Sequence, residues 1–242
     1  MKESTTPVKI FTCILGYALA VYLIAFFSFY VEFKENYVIS FMVSSLLKYI
    51  LLFAVEFVIY HINWKPEYSS FRWSFRGRKL SILICYTIIA LFVYKFSEIV
   101  SVMIQYHYVP DIFGSSNVRL KSIFSIYTLL SLFLNIVQGL AYAVTFVFFV
   151  PASLGSWNTN YGEKAKFEWQ SIVSGVFLVL LTLFPYLRNG FQYTSAGIPS
   201  CITNFALVML GCALKGDCDD YLHSLVECVI MFALTYTFIN WI

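Results

Sequence analysis

His223 and Glu227 stand four residues apart in an apolar stretch near the end of the chain. On a helix that spacing puts both side chains on one face, where they can share a proton or hold a metal ion. Asp217, Asp219 and Asp220 come just before them. These aspartates also suit the first turn of a helix, where Asp caps free N–H groups and the helix dipole favours negative charge. Lys95 and Glu98 are three apart, close enough to pair across one helical turn. Lys48 and Glu56 are eight apart, about two turns along one face, and can reach other helices. An orienting role, with its ammonium group reaching for the membrane surface, is the simpler reading of Lys48. A buried hydrogen-bonded pair is the simpler reading of His223 and Glu227.

The elements that carry these residues are apolar. The chain has 242 residues, of which 60% are hydrophobic and 12% charged, about half the charge of a water-soluble domain at roughly 25%. Its mean hydropathy of +0.77 points the same way. Residues 122–162 contain no Asp, Glu, Lys or Arg. Runs long enough to span a bilayer, which takes ~20 apolar residues, lie at 10–30, 37–61, 80–106, 122–157, 170–187, 199–214 and 221–242. None alternates polar and apolar residues at period two, so a barrel is excluded and the expected fold is an all-α, polytopic transmembrane helical bundle. Seven spans are expected within one integral membrane domain, residues 1–242. The run 122–157 would be ~54 Å long as one helix and exceeds a ~30 Å hydrocarbon core, so a break at Gly139 or Pro151 would give an eighth span. The first run is too long for a secretion signal and no small-residue cleavage site follows it, so it reads as a retained span.

Basic loops stay in the cytoplasm. The densest one carries Lys65, Arg72, Arg76, Arg78 and Lys79. With seven spans it shares its side with Lys2, Lys9, Lys164, Lys166 and Lys215, against Lys34, Arg119, Lys121 and Arg188 opposite. Ten against four places the amino terminus in the cytoplasm, and the plasma membrane is the expected location. Trp64, Tyr68, Phe71, Trp73 and Phe75, interleaved with those basic residues, suit a segment lying among lipid headgroups. A net charge of +3 gives no reason to invoke nucleic acid. The six cysteines show no CxxC pair or metal-finger spacing and read as small apolar fillers, with a bridge from Cys218 to Cys228 or Cys201 as the alternative. His61 and His107, at the ends of the second and third spans, have no ligand partner at a suitable spacing. No serine-hydrolase elbow, HExxH pair, phosphate loop or dinucleotide fingerprint is present, so no cofactor or metal is expected.

The order of features over residues 130–234 resembles the CAAX-protease and bacteriocin-processing family of intramembrane proteases. That family shows E-E-x-x-x-R-G, then S-S-x-x-F-x-x-x-H, then a final H-x-x-x-N or H-x-x-x-D. Here Phe149, Val150, Leu154 and Gly155 stand where Glu, Glu, Arg and Gly would fall, and Ser174, Phe177 and Leu181 where Ser, Phe and His would. Leu210 and Gly211 match the glycine-containing stretch before the last motif. Glu227 and Met231 take the last two motif places, or His223 and Glu227 do after a four-residue shift. The resemblance rests on order and spacing. It implies a pseudoenzyme that keeps the fold, has lost hydrolysis, and binds a peptide or another membrane protein, as in bacteriocin immunity or cell-envelope regulation. Two alternatives remain open. A small transporter or permease subunit would line a path with Lys48, Lys95, Glu98, His223 and Glu227, and an active protease would use His223 and Glu227 as a divergent catalytic pair.

Overall fold

Inside a bilayer no water is present to satisfy backbone N–H and C=O groups, so each apolar run must close its own hydrogen bonds as a helix. The computed structural model describes residues 7–30, 37–63, 80–106, 126–154, 168–188, 194–216 and 221–241, and no strand occurs among them. The elements are α1 (Pro7–Tyr30), α2 (Tyr37–Asn63), α3 (Leu80–Tyr106), α4 (Ile126–Tyr142), a π-helical segment (Ala143–Phe149), α5 (Val150–Ser153), α6 (Trp169–Arg188), α7 (Thr194–Gly216) and α8 (Tyr221–Trp241). Among the described residues, four stretches are long and apolar enough to cross a membrane: Ser81–Gln105, Leu129–Ser153, Gly197–Lys215 and Leu222–Ile239. Shorter apolar stretches, Ile10–Phe26 in α1 and Trp169–Phe184 in α6, join them. This is the make-up of a helical membrane protein. The basic loop with its aromatic residues, and Asp217, Asp219, Asp220 and Cys218, lie outside the described residues.

Gly139 and Pro151 do not break the fourth run, which stays helical from α4 through the π segment into α5. Gly139 is a contact surface: a Cβ there would stand 3.0 Å from the Val229 carbonyl oxygen and 3.1 Å from the Ala233 nitrogen of α8. Its missing side chain lets the two helices touch backbone to backbone. Asn135 of α4 meets Thr237 of α8 further along, so the pair runs antiparallel.

Pro151 carries no N–H and its ring crowds the carbonyl four residues back, which ordinarily kinks or ends a helix. The π segment relieves this by moving the pairing one residue further, so that the Val150 N–H reaches the Thr145 carbonyl. The carbonyls of Phe146 and Val147, left facing a proline, accept from side chains of other helices. Ser174 of α6 donates to Phe146, and the Cys212 thiol of α7 approaches the Val147 carbonyl at 3.9 Å. Gly211 brings α7 in close, since a Cβ there would lie 2.7 Å from Val147 Cγ2.

The core forms around this segment. Ala143, Phe146, Val147 and Val150 are fully buried and pack with Leu178, Leu207, Leu214, Met231 and Phe232. Burial is uneven between helices: 61% of the span through α4, the π segment and α5 is buried, against 22% of the α3 span.

Candidate functional site

Polar side chains converge inside the bundle on the α4–π–α5 helix. Glu56 of α2 is buried and accepts a hydrogen bond from the Thr145 hydroxyl in the π segment. Below it, Ser153 of α5 points its hydroxyl at the Tyr17 hydroxyl of α1, 3.5 Å away. Two turns back along α2 from Glu56, the Lys48 ammonium lies 5.2 Å from the centre of the Tyr49 ring and 5.4 Å from that of Tyr142. Cation–π contact of this kind accommodates a charge where water is scarce.

The Tyr142 ring links this group to the next. It makes edge-on contacts with Tyr49, Phe146 and Tyr236 at centroid distances of 5.9, 5.8 and 6.2 Å. Tyr236 of α8 donates to Asn204 of α7 at 2.6 Å, Asn204 donates to Thr182 of α6 at 2.8 Å, and Thr182 donates to the Leu178 carbonyl of its own helix. Asn135 donates to Thr237 at 3.2 Å beside them. Polar groups and rings thus gather on the central helix in three places: from Thr182 through Tyr236 and Tyr142 to Lys48, at Glu56 and Thr145, and at Tyr17 and Ser153. Together they tie α1, α2, α6, α7 and α8 to the central helix.

The residues singled out from the sequence fall into two separate pairs. Lys95 Nζ and Glu98 Oε2 meet at 2.9 Å on α3, with side chains 39% and 41% exposed. His223 Nε2 and Glu227 Oε1 meet at 2.8 Å on α8, with side chains 23% and 13% exposed. Each pair closes within its own helix. A cavity of about 500 Å³ lies between α3 and α7, walled by Phe92, Phe96, Val100, Ile104, Ile198 and Ile202, and it includes none of the four. Among the described residues no three His, Cys, Asp or Glu side chains come together as a metal site. No protein-family model matches the chain, and no match is found among curated proteins or solved structures. The role therefore rests on the geometry of these residues.

Glu56 meets another helix at Thr145, and Lys48, for which an orienting role was the simpler reading, lies against the Tyr142 ring of α4. Tyr17, Tyr142, Thr145, Asn204 and Tyr236 went unrecognised. Asn135 and Asn204 carried a usable signal, because an amide inside an apolar run needs a partner on another helix.

Proposed function

We propose that this chain is a noncatalytic, seven-span membrane protein of CAAX-protease-like architecture that binds a peptide or a partner helix within the bilayer. One observation carries this reading. Val150, Leu154, Leu181 and Met231, which stand at motif positions of the protease pattern, are all buried in one apolar core, with Val150 and Met231 at 0% exposure. Hydrolysis needs an ionisable base beside a bound water. An apolar side chain packed without solvent supplies neither. Ser174, at the serine position of the pattern, is engaged with the Phe146 carbonyl and helps hold the helix around Pro151. The amino terminus lies on the cytoplasmic face of the plasma membrane in this reading.

A transporter or permease subunit is the second reading, and the buried polar groups inside the bundle, Glu56 and Thr145 among them, favour it. Against it, Lys95–Glu98 and His223–Glu227 are contacts within two different helices, and none of the four lines the cavity between α3 and α7. The same purified chain in vesicles separates these readings, together with its His223→Ala and Glu227→Ala variants. A noncatalytic binder cleaves no peptide, drives no solute uptake, and protects the vesicles against a membrane-active peptide. Cleavage that disappears in both variants would overturn it in favour of the protease, and uptake that disappears in Glu56→Gln would favour the transporter.

A further inference from the structure

We propose that α3 is a dimerisation helix, on which a second copy of this chain docks through the Lys95–Glu98 pair. Ile84, Ile88, Leu91, Lys95, Glu98 and Val102 follow one another at alternating spacings of four and three. That is the 3.5-residue repeat by which two helices mesh side by side. All six are exposed or half-exposed. The stripe of α3 beside this seam, with Leu83, Thr87, Ala90, Ser97 and Ser101, is the buried one, so the seam runs along the edge of the bundle's own contact.

The position of the pair within the span makes lipid a poor cover. Lys95 lies fifteen residues from the start of α3 and eleven from its end. At ~1.5 Å per residue that is at least ~16 Å from either terminus, as far as half of a ~30 Å hydrocarbon layer and beyond the reach of a lysine side chain. Lys95 therefore cannot snorkel to the headgroups, and Glu98, eight residues or ~12 Å from the end of α3, has the shorter side chain of the two. Lys95 has Glu98 at 2.9 Å and the Tyr94 ring at 5.9 Å, yet both charged groups remain about two-fifths exposed. Charged side chains at this depth ordinarily face a bundle interior or another protein.

Charge complementarity selects a second copy as the occupant. A two-fold axis requires a surface that complements itself. A lone lysine or glutamate would repel its own copy, whereas a lysine one turn from a glutamate puts Lys95 of one copy against Glu98 of the other, twice. The isoleucines and Leu91 at the same spacing extend the seam along the helix. This inference does not depend on what the protein binds elsewhere.

The test uses the full-length chain in phosphatidylcholine and phosphatidylglycerol vesicles, with donor- and acceptor-labelled copies and energy transfer as the readout of association. The unaltered chain associates. Lys95→Glu and Glu98→Lys each weaken self-association about tenfold or more, because like charges now face each other across the axis. Mixed together, the two variants recover it, since one brings two acidic groups to the seam and the other two basic ones. Recovery in the mixture also shows that both variants are folded. In a Cys85→Ser background, Ile88→Cys cross-links between copies and Val226→Cys, on an exposed face of α8, does not. A monomer at all protein-to-lipid ratios overturns the proposal, as does undiminished self-association of both variants, no recovery on mixing while Ile88→Cys also fails to cross-link, or equal cross-linking at the α8 position.

Discussion

Ser174 donates its hydroxyl hydrogen bond to the Phe146 carbonyl, and so closes from α6 a gap that Pro151 opens in the central helix. Without a proline at that place the carbonyl would have a backbone donor within its own helix. With one, in a water-free interior, it depends on a side chain 28 residues further along the chain. The proline, the π segment and the serine are one structural unit spread over two helices.

Ser174→Ala should therefore cost about 1–3 kcal/mol, the penalty for a buried polar group left without its partner. In a Pro151→Ala background, where a backbone N–H is restored, the same change should cost clearly less. Thermal unfolding in detergent of the two single variants and the double variant checks the coupling. Simple additivity would mean that serine and proline act independently.

Glu56 and Thr145 support a second expectation. The hydroxyl of Thr145 needs only an acceptor oxygen, which an amide supplies as well as a carboxyl group. Glu56→Gln should keep α2 docked on the π segment and shift stability by less than about 1 kcal/mol. Glu56→Asp, one methylene shorter, should lose contact with Thr145 and cost about 1–3 kcal/mol. Unfolding midpoints of both variants decide, and a glutamine variant less stable than the aspartate one would mean that the charge of Glu56 matters more than its hydrogen bond.

Two glycines give opposite outcomes for one substitution. Gly139→Ala would press a methyl group on the Val229 carbonyl at 3.0 Å, and because that is backbone, α4 and α8 must part. Overpacking of this kind costs about 1–3 kcal/mol. Gly16→Ala in α1 meets nothing within 4 Å, so it should gain up to ~1 kcal/mol from helix propensity alone. Comparing the two alanine variants by detergent unfolding tests the close approach directly, since equal effects would leave no special role for Gly139.

The helices were legible in the sequence because lipid leaves the backbone so few options. The 3.6-residue spacing alone showed that Lys95 could meet Glu98 and His223 could meet Glu227. What could not be read was which way each pair faces, because that depends on where neighbouring helices pack. Pro151 looked like a break because its remedy comes from Ser174 and Cys212, which lie on other helices. Glu56 and Thr145 are 89 residues apart, and no local pattern links them. The protease-like order over residues 130–234 concerns spacing, whereas the burial of Val150, Leu154, Leu181 and Met231 is a property of the folded bundle.

Tyr236, Asn204 and Thr182 allow packing and hydrogen bonding to be ranked inside this bundle. Tyr236→Phe removes one hydroxyl and leaves the Asn204 side-chain oxygen without that donor, with little change in volume. Interhelical hydrogen bonds in membranes average ~0.6 kcal/mol and reach ~1.7, because polar groups find other partners when helices separate. Close packing has no such substitute in lipid, where apolar association gains nothing from the expulsion of water. Tyr236→Phe should therefore cost about 0.6–1.7 kcal/mol, less than Gly139→Ala. A Tyr236→Phe and Asn204→Leu double variant should lose less than the sum of the two single changes, since it removes donor and acceptor together. Unfolding of all four variants under one detergent condition gives the order, and a tyrosine change costlier than the glycine one would make the polar chain, rather than the α4–α8 contact, the main tie of the bundle.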